Sequence, residues 1–298
     1  MWNISDYYIL PLDDWIQHFV TNWLVPHFRP SVRMLQWPVQ SVLAGLNGFL
    51  QSLPFPLFLG GATAIAWRAA GRNVAWLTAF AVVAIDVLGL WSEAMTTLAM
   101  VFTAVWFCIL LGIPLGILAA RSNSFAVVLR PVLDVMQTVP SFVYLVPIVM
   151  LFGIGLVPGI IATIIFALPP IVRLTNLGIR QVSPEIIEAA RSFGSTRSQM
   201  LWSIQVPLAM PTILAGLNQT LMMALSMVVI AALIGAGGLG LTVFTSLGRL
   251  QVGTAALGGI GIVLIAIVLD RITQSLGASS LGAHQQTSAA KQENQVVE

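Results

Sequence analysis

The stretch that decides the fold reads Glu188-Ala-Ala-Arg-Ser-Phe-Gly194-Ser-Thr-Arg-Ser-Gln-Met-Leu-Trp-Ser-Ile204-Gln-Val-Pro207. It lies in a polar loop, residues 181–206, between two apolar runs at 157–178 and 207–234. Each run has the length of about 20 residues that a helix needs to cross a bilayer. The loop is therefore predicted to join two transmembrane helices on one side of a membrane.

Local signals within this loop predict two short helices. Ser183 can cap a helix whose first residue is Pro184, with a glutamate in the positively polarised first turn. That helix is expected to end near Gly194, because glycine adopts the left-handed conformation of a helix stop without steric cost. A second helix can start from Ser195 or Thr196, so the loop is predicted to be a compact helix-turn-helix.

The rest of the chain has the composition of a helical membrane protein. Of its 298 residues, 57% are hydrophobic and 8% are charged, whereas an ordinary soluble domain is about 25% charged. Transmembrane barrels show alternating segments of about ten residues instead, so the predicted fold class is an all-α integral membrane protein. Seven spans are predicted, at 53–71, 73–91, 94–120, 131–153, 157–178, 207–234 and 254–276.

Positively charged residues assign the two sides of the membrane. With the N-terminus outside, ten of the thirteen Lys and Arg residues fall in cytoplasmic segments, and the outer segments keep Arg29, Arg33 and Arg249. Cytoplasmic loops carry the positive excess in membrane proteins. The predicted topology is therefore N-out and C-in. Because the arginines are dispersed at helix ends, no nucleic-acid partner is expected.

Three regions follow from this pattern. Residues 1–52 form an N-terminal extracytoplasmic segment, residues 53–278 the transmembrane domain, and residues 279–298 a cytoplasmic tail predicted to be disordered. Six apolar residues of the first region recur at helical spacing: Leu12, Trp15, Ile16, Phe19, Val20 and Trp23. This spacing is typical of an amphipathic helix in the membrane interface. Such a helix is either a membrane sensor or a plain anchor.

The polar loop resembles the EAA motif of ABC-importer permeases, which reads Glu-Ala-Ala, three residues, Gly, nine residues, Ile, one residue, then Leu-Pro. The matching residues are Glu188, Ala189, Ala190, Gly194, Ile204 and Pro207, and the one departure is Val206 in place of leucine. The resemblance implies that these residues belong to a coupling helix seated in a groove of an ATP-binding subunit. The alternative is a solvated loop with an ordinary capped helix.

Five further stretches resemble the permeases of glycine betaine/proline betaine importers: Asp134–Pro147, Ile165–Pro170, Asn218–Leu221, Ala224–Ala231 and Leu269–Gln274. The resemblance implies a type I ABC importer permease fold in the bacterial inner membrane and import of betaine-type osmoprotectants. It further implies a homodimer, two ATP-binding cassette subunits that hold ATP and Mg²⁺, and a separate extracytoplasmic substrate-binding protein. The chain itself, which has no Walker sequence, is expected to carry neither cofactor nor enzymatic activity.

Two of the spans offer candidates for a solute passage. These are Gln137, Ser141 and Tyr144 in the fourth span and Asn218, Met222 and Ser226 in the sixth, each set at helical spacing. Pro140 and Pro147 are expected to interrupt the fourth span, because each removes a helix hydrogen bond. Irregular backbone at membrane depth is tolerated where it lines a cavity. The alternative role for these side chains is hydrogen bonding between helices of the bundle.

Several other signals are weaker. Gly235-Ala-Gly-Gly-Leu-Gly240 matches a dinucleotide-binding pattern but lacks the preceding strand and the following acid, so it is predicted to be a flexible external loop. Cys108, the sole cysteine, is predicted to be a buried thiol, and the three scattered histidines predict no metal site. Asp86, inside the second span, is either a functional carboxylate or a satisfied structural one.

Two rival functions stay open at this stage. The same machinery could carry choline, carnitine or ectoine. An ion-coupled secondary transporter would show inverted repeats and paired discontinuous helices, and the sequence offers no convincing repeat. An intramembrane enzyme lacks a catalytic set of residues. Co-purification of an ATPase subunit would separate the importer from the other classes.

Overall fold

The computed structural model describes the backbone of residues 12–19, 22–23 and 25–296. It describes all side chains from residue 36 to residue 277, and before residue 36 those of residues 14, 15, 17, 18, 22, 23, 26, 27 and 34. This part of the chain is helical and contains no strand, which confirms the predicted all-α fold class. The helices are α1 (Leu12–Phe19), α2 (Val25–Ser52), α3 (Phe55–Ala70), α4 (Arg72–Val87), α5 (Trp91–Arg121), α6 (Asn123–Thr138), α7 (Leu145–Phe152), α8 (Leu156–Arg180), α9 (Pro184–Ser192), α10 (Arg197–Met200), α11 (Val206–Ile230), α12 (Gly238–Gly248) and α13 (Val252–Val296).

Four segments of the described chain are long and apolar enough to cross a membrane: Trp91–Arg121, Leu156–Arg180, Arg197–Ile234 and Val252–Gly277. Two pairs meet the same criterion only together, because Gln36–Ser52 with Phe55–Ala70 bends by 108° and Asn123–Thr138 with Ser141–Phe152 by 105°. Helices α3 and α4 have 16 residues each, fewer than the about 20 that a span needs. The structure therefore supports four to six spans, and the number seven stays a prediction.

The centre of the bundle is built from α5, α8 and α11, which pack along most of their lengths. Small residues on α5 let its backbone approach α8 closely. A Cβ atom at Gly112 would lie 2.3 Å from Cγ2 of Ile171, and one at Gly116 would lie 2.6 Å from Cβ of Thr175. Glycines four residues apart commonly permit such close packing between membrane helices.

The predicted fourth span is broken where Pro140 was expected to interrupt it. Helix α6 ends at Thr138, and a 3₁₀ turn at Ser141–Tyr144 leads into α7. Pro147 causes no second break, because it lies in the first turn of α7, where proline is tolerated in a helix.

The N-terminal region is more closely packed than its sequence indicates. Helix α1 covers Leu12–Phe19 of the predicted amphipathic helix, whereas Val20 lies outside the described residues and the interfacial position stays a prediction. The long helix α2 was not predicted. Val39, Leu43 and Leu50 of α2 are buried in the main core, and the Nε2 atom of Gln36 donates to the carbonyl of Phe152 at 3.0 Å. Polar residues between these positions obscure the apolar face in the sequence, so residues 36–52 do not read as part of a span.

The glycine-rich segment 235–240 corrects the prediction of a flexible external loop. Gly235 and Gly238 have φ values of +75° and +77°, and α12 begins at Gly238. The buried backbone N–H of Leu239 donates to Oγ1 of Thr97 at 2.9 Å. A Cβ at Gly240 would lie 2.9 Å from Cα of Val229. The glycines therefore serve close backbone packing.

The last helix extends beyond the apolar span. Its backbone is helical to Val296, where the composition predicts a disordered tail from Ser279. Alanine and glutamine favour helix sufficiently for the helix to continue past the span. The side chains beyond Gly277 lie outside the described residues, and the disorder of the tail stays a prediction.

Candidate coupling loop and passage

The polar loop folds as the predicted helix-turn-helix. Ser183 stands at the N-terminal boundary of α9, but its side chain makes no capping hydrogen bond. Instead its carbonyl accepts from the backbone N–H of Ile187 at 3.3 Å. Glu185 lies in the first turn of α9, as predicted.

The turn after α9 is closed by Gly194, as predicted. Its φ of +78° lies in the left-handed region. The N–H of Gly194 donates to the carbonyl of Arg191 at 2.9 Å, and the N–H of Ser195 donates to the carbonyl of Ala190 at 3.0 Å. A Cβ at Gly194 would meet no atom within 4 Å, so the backbone conformation alone demands glycine.

The second helix of the loop, α10, begins at a reciprocal cap. The backbone N–H of Gln199 donates to Oγ1 of Thr196 at 3.3 Å, and the N–H of Thr196 donates to Oε1 of Gln199 at 2.9 Å. This capping box satisfies donors that a helix start would otherwise leave free. It settles the start of the second helix at Thr196 rather than Ser195.

A wide helical turn, not predicted from the sequence, joins α10 to α11. Residues Leu201–Gln205 form a π-helical turn, in which Ile204 is half-buried. Pro207 is exposed in the first turn of α11. Turns of this kind are frequent at functional sites in helices.

The loop surface differs from the prediction in one respect. Glu188 and Ala189 are exposed, whereas Ala190 is buried with 7% exposure. The two alanines therefore do not form a flat surface together. Sequence reasoning missed the aromatic residues: Phe193 is 90% exposed at the turn, and Trp202 is 60% exposed on the π-helical turn. The available signal in the sequence was the presence of two large aromatic residues in an otherwise polar loop.

The passage candidates of the fourth span lie around the helix break rather than on one helix face. Gln137 is on α6, whereas Ser141 and Tyr144 are in the 3₁₀ turn, and all three are half-buried. The hydroxyl of Tyr144 donates to the carbonyl of Val135 at 3.0 Å and thus bridges the break. The turn packs against α11, which carries the other candidates.

The candidates on α11 divide into two environments. The Nδ2 atom of Asn218 donates to Oδ1 of Asp270 at 3.2 Å, and its Oδ1 accepts from Thr273. Asp270 also accepts from Gln274 at 2.7 Å. Asn218 thus joins α11 to α13, which fits the interhelical alternative. Met222 is half-buried, and Ser226 is exposed and donates to the carbonyl of Met222 at 3.0 Å.

Charged residues at the Arg180 end of the bundle lie together. Arg173 pairs with Asp134 at 2.5 Å, and Nη2 of Arg180 donates to the carbonyl of Ala119 at 2.7 Å. Both arginines and Arg130 line one cavity of about 370 Å³. Three arginines that the sequence analysis assigned to the same side of the membrane therefore line the same cavity. Asp86 is exposed on α4, and no hydrogen bond to its carboxylate is seen among the described residues.

The chain is similar to known transport proteins over most of its length. A family model described as a binding-protein-dependent transport system inner membrane component matches residues 112–279. The glycine betaine/proline betaine transport system permease protein ProW of Escherichia coli (strain K12) is 54% identical, over 91% of this chain and 77% of the relative. The glycine betaine transport system permease protein OpuAB of Bacillus subtilis (strain 168) is 44% identical, over 90% of this chain and 94% of the relative.

A solved structure extends the similarity to the fold. The MetNI methionine ABC transporter in an inward-facing conformation superposes with a TM-score of 0.58 at 22% identity, over 64% of this chain and 95% of that chain. This likeness confirms the type I ABC permease fold that the motif implied. Because the family model covers more than half of the chain, including the loop 181–206 and the spans that flank it, the chain belongs to the family of binding-protein-dependent transport system inner membrane components.

Proposed function

We propose that this multi-pass inner membrane protein is the permease subunit of an ATP-driven importer of glycine betaine, proline betaine or related quaternary ammonium solutes. The observation that carries the proposal is the loop 181–206. Its motif residues lie on an internally hydrogen-bonded helix-turn-helix that exposes Glu188 and Ala189, in a chain whose relatives are named as betaine permeases.

The coupling loop docks in a groove of an ATP-binding cassette subunit, which holds ATP and Mg²⁺. Phe193 and Trp202 support this role, because both side chains are exposed and aromatic side chains are typical anchors of protein interfaces. Glu188 and Ala189 lie on the same exposed loop and set the register. Gly194, Ile204 and Pro207 shape the loop rather than contact the partner.

A co-purification experiment tests this docking. Phe193→Ser is expected to weaken retention of the ATPase subunit by about 30-fold, since an aromatic anchor contributes about 2 kcal/mol. Leu250→Ser is the matched control, because Leu250 is 87% exposed but lies outside the loop. Equal retention by both variants at equal membrane level would exclude Phe193 from the interface.

The complete importer contains two copies of this chain, two ATPase subunits and an extracytoplasmic binding protein. ABC permeases enclose their passage between two bundles, which a two-fold pair provides. Gln137, Ser141, Tyr144, Met222 and Ser226 line that passage near the helix break. Closure of the ATPase pair moves the coupling loops and alternates access to the passage.

The N-terminus lies outside and the C-terminus inside, with the coupling loop in the cytoplasm. Two cysteine variants test this topology in a chain whose Cys108 has been replaced by serine. Ser198→Cys is expected to react with an impermeant thiol reagent from the cytoplasmic side only, and Gly248→Cys from the outer side only. Both positions are exposed. The reverse pattern of labelling would invert the topology.

Uptake by reconstituted vesicles tests the whole function. Vesicles with the permease, its ATPase and its binding protein are expected to accumulate labelled glycine betaine only when ATP is present on the ATPase side. Competition with choline, carnitine and ectoine identifies the solute among the alternatives. Uptake that survives without ATP but collapses with an ionophore would establish the ion-coupled alternative instead.

A further inference from the structure

A large apolar cavity lies between the N-terminal helices and the core of the bundle. It has a volume of about 540 Å³ and is lined by side chains from α2, α3, α4, α5, α11 and α13. Its size falls within the range of about 300–1,000 Å³ that ligand sites occupy. It is distinct from the helix break that carries Gln137, Ser141 and Tyr144, since none of its lining residues lies in α6, α7 or the 3₁₀ turn between them.

The cavity presents no hydroxyl that needs a partner. Among its lining residues, the hydroxyls belong to Thr78 and Thr273. Oγ1 of Thr78 donates to the carbonyl of Val74 at 2.8 Å, and Oγ1 of Thr273 donates to the carbonyl of Leu269 at 2.8 Å. An apolar wall of this kind favours an apolar guest, because a polar group placed there would lose its hydrogen bonds to water. The chemistry of the wall therefore selects hydrocarbon over water or a zwitterionic solute.

The dimensions match one tail of a membrane lipid. The wall runs from Trp91 to Phe102 along α5, a rise of about 16 Å at 1.5 Å per residue. That length is close to half of the bilayer's hydrocarbon core of about 30 Å. The Trp91 ring packs edge-on against Phe55 and Phe58 at one end of the wall. Tryptophan is enriched at the depth where lipid tails meet headgroups.

We propose that the cavity binds one acyl chain of a membrane phospholipid, which fills the space left by the bend between α2 and α3. Leu57 and Ile65 of α3 line the cavity and are 64% and 61% exposed, so a bound chain covers them. The lipid tail then acts as a packing element that joins the α3–α4 pair to the core helices.

Two neighbouring glycines provide a matched pair of variants. Gly61 lines the cavity and Gly60 does not, yet an added Cβ at either position meets no atom within 4 Å. Leucine at either site gives the same gain in helix propensity over glycine. Only Gly61→Leu fills part of the cavity, so the two variants separate occupancy of the cavity from a general effect on α3.

The experiment uses the full chain in membrane vesicles that contain a phospholipid with a photoreactive diazirine in one acyl chain. After illumination, labelled peptides are quantified by mass spectrometry. Label is expected on Leu57 and Ile65 in excess of Trp76 and Trp106, which are exposed aromatic residues outside the cavity. Gly61→Leu is expected to lower the label on Ile65 by about tenfold, because it displaces several buried methylene groups, whereas Gly60→Leu leaves it unchanged.

Three results would overturn the proposal. Even label over Ile65, Trp76 and Trp106 would mean ordinary surrounding lipid only. Equal loss of label in Gly60→Leu and Gly61→Leu would show an effect on the helix rather than on the cavity. A disulfide between two copies at Ile65→Cys would mean that a second copy fills the space. If Gly61→Leu does not reach the membrane, the wild-type ratio of label on Ile65 to that on Trp76 decides.

Discussion

Two glycines of this protein have nearly the same positive φ in opposite surroundings. Gly194 in the loop 181–206 has a φ of +78°, and Gly238 at the start of α12 has a φ of +77°. A Cβ at Gly194 would meet no atom within 4 Å, whereas one at Gly238 would lie 2.5 Å from Oγ1 of Thr97 and 3.2 Å from its backbone nitrogen. The conformation of the exposed turn depends on local backbone geometry, whereas the packed turn depends on contact with α5, which is distant in sequence.

This contrast explains why one turn was predicted and the other was not. The signals at Gly194 lie within a few residues of it: the motif glycine itself and the cap at Thr196. The turn at Gly238 depends on Thr97, whose hydroxyl accepts a hydrogen bond from the N–H of Leu239, 142 positions along the chain. A single sequence carries no mark of such a pairing.

The largest expected effect is on the packed turn. Gly238→Ala should lower the free energy of unfolding by about 3 kcal/mol, because a left-handed conformation for alanine and a clash with Thr97 add together. Gly235→Ala is the matched control. Gly235 has a φ of +75° but open space around it, so it should lose only the conformational part, about 1 kcal/mol.

Thermal unfolding of the purified variants in one detergent measures this difference. A Tm decrease that is clearly larger for Gly238→Ala supports packing as the reason for that glycine. Equal decreases would mean that both turns are governed by backbone conformation alone. The comparison between packed and exposed turns would then fail.

The second effect concerns the charge on the loop 181–206, for which we propose the coupling role. Glu188→Arg should raise the free-energy barrier to transport by about 2 kcal/mol or more, because charge reversal at a desolvated subunit contact is unfavourable. Glu185→Gln should cost only about 0.3–1 kcal/mol, the contribution of a charge in a first helical turn. Both side chains are exposed in the isolated chain, so neither change should alter stability greatly.

Solute-stimulated ATP hydrolysis by the whole complex, measured beside uptake at equal membrane levels, distinguishes the two glutamates. If both variants behave alike, Glu188 is a solvated helix residue. Coupling would then depend on Ala189, Phe193 and the shape of the turn.

Prediction from sequence was good where the determinants are local or compositional. The all-α class, the long spans and the start of the second loop helix at one of two residues all follow from periodicity and caps. The break at Pro140 followed from proline chemistry. The burial of Ala190, the packing of α2 and the link from Asn218 to Asp270 could not be predicted, because each depends on which helices become neighbours.

The third effect tests the exposed glycine. Gly194→Val should raise the free-energy barrier to ATP-driven transport by about 1–2 kcal/mol, because a β-branched residue is strained at positive φ. Gly194→Asn should retain most of the activity, since asparagine tolerates this conformation better than other residues. Insertion and stability of both variants should match the wild type, as the site is open to solvent. Full activity of Gly194→Val would show that the turn does not need its left-handed geometry.

The smallest effect separates a cap from a packing contact within the same loop. Thr196→Ala removes the hydroxyl that accepts from the N–H of Gln199, and loss of such a cap costs about 1 kcal/mol. Thr196→Ser keeps the oxygen and should keep the cap. Hydrogen exchange of the amides at 197–199 reports the local opening of α10, which should rise about fivefold in the alanine variant. Because Thr196 is exposed, a lost packing contact cannot produce the same result. Unchanged exchange in Thr196→Ala would mean that the threonine hydroxyl is not needed. The hydrogen bond from the Thr196 N–H to Oε1 of Gln199 and the π-helical turn that follows would then be sufficient to hold α10.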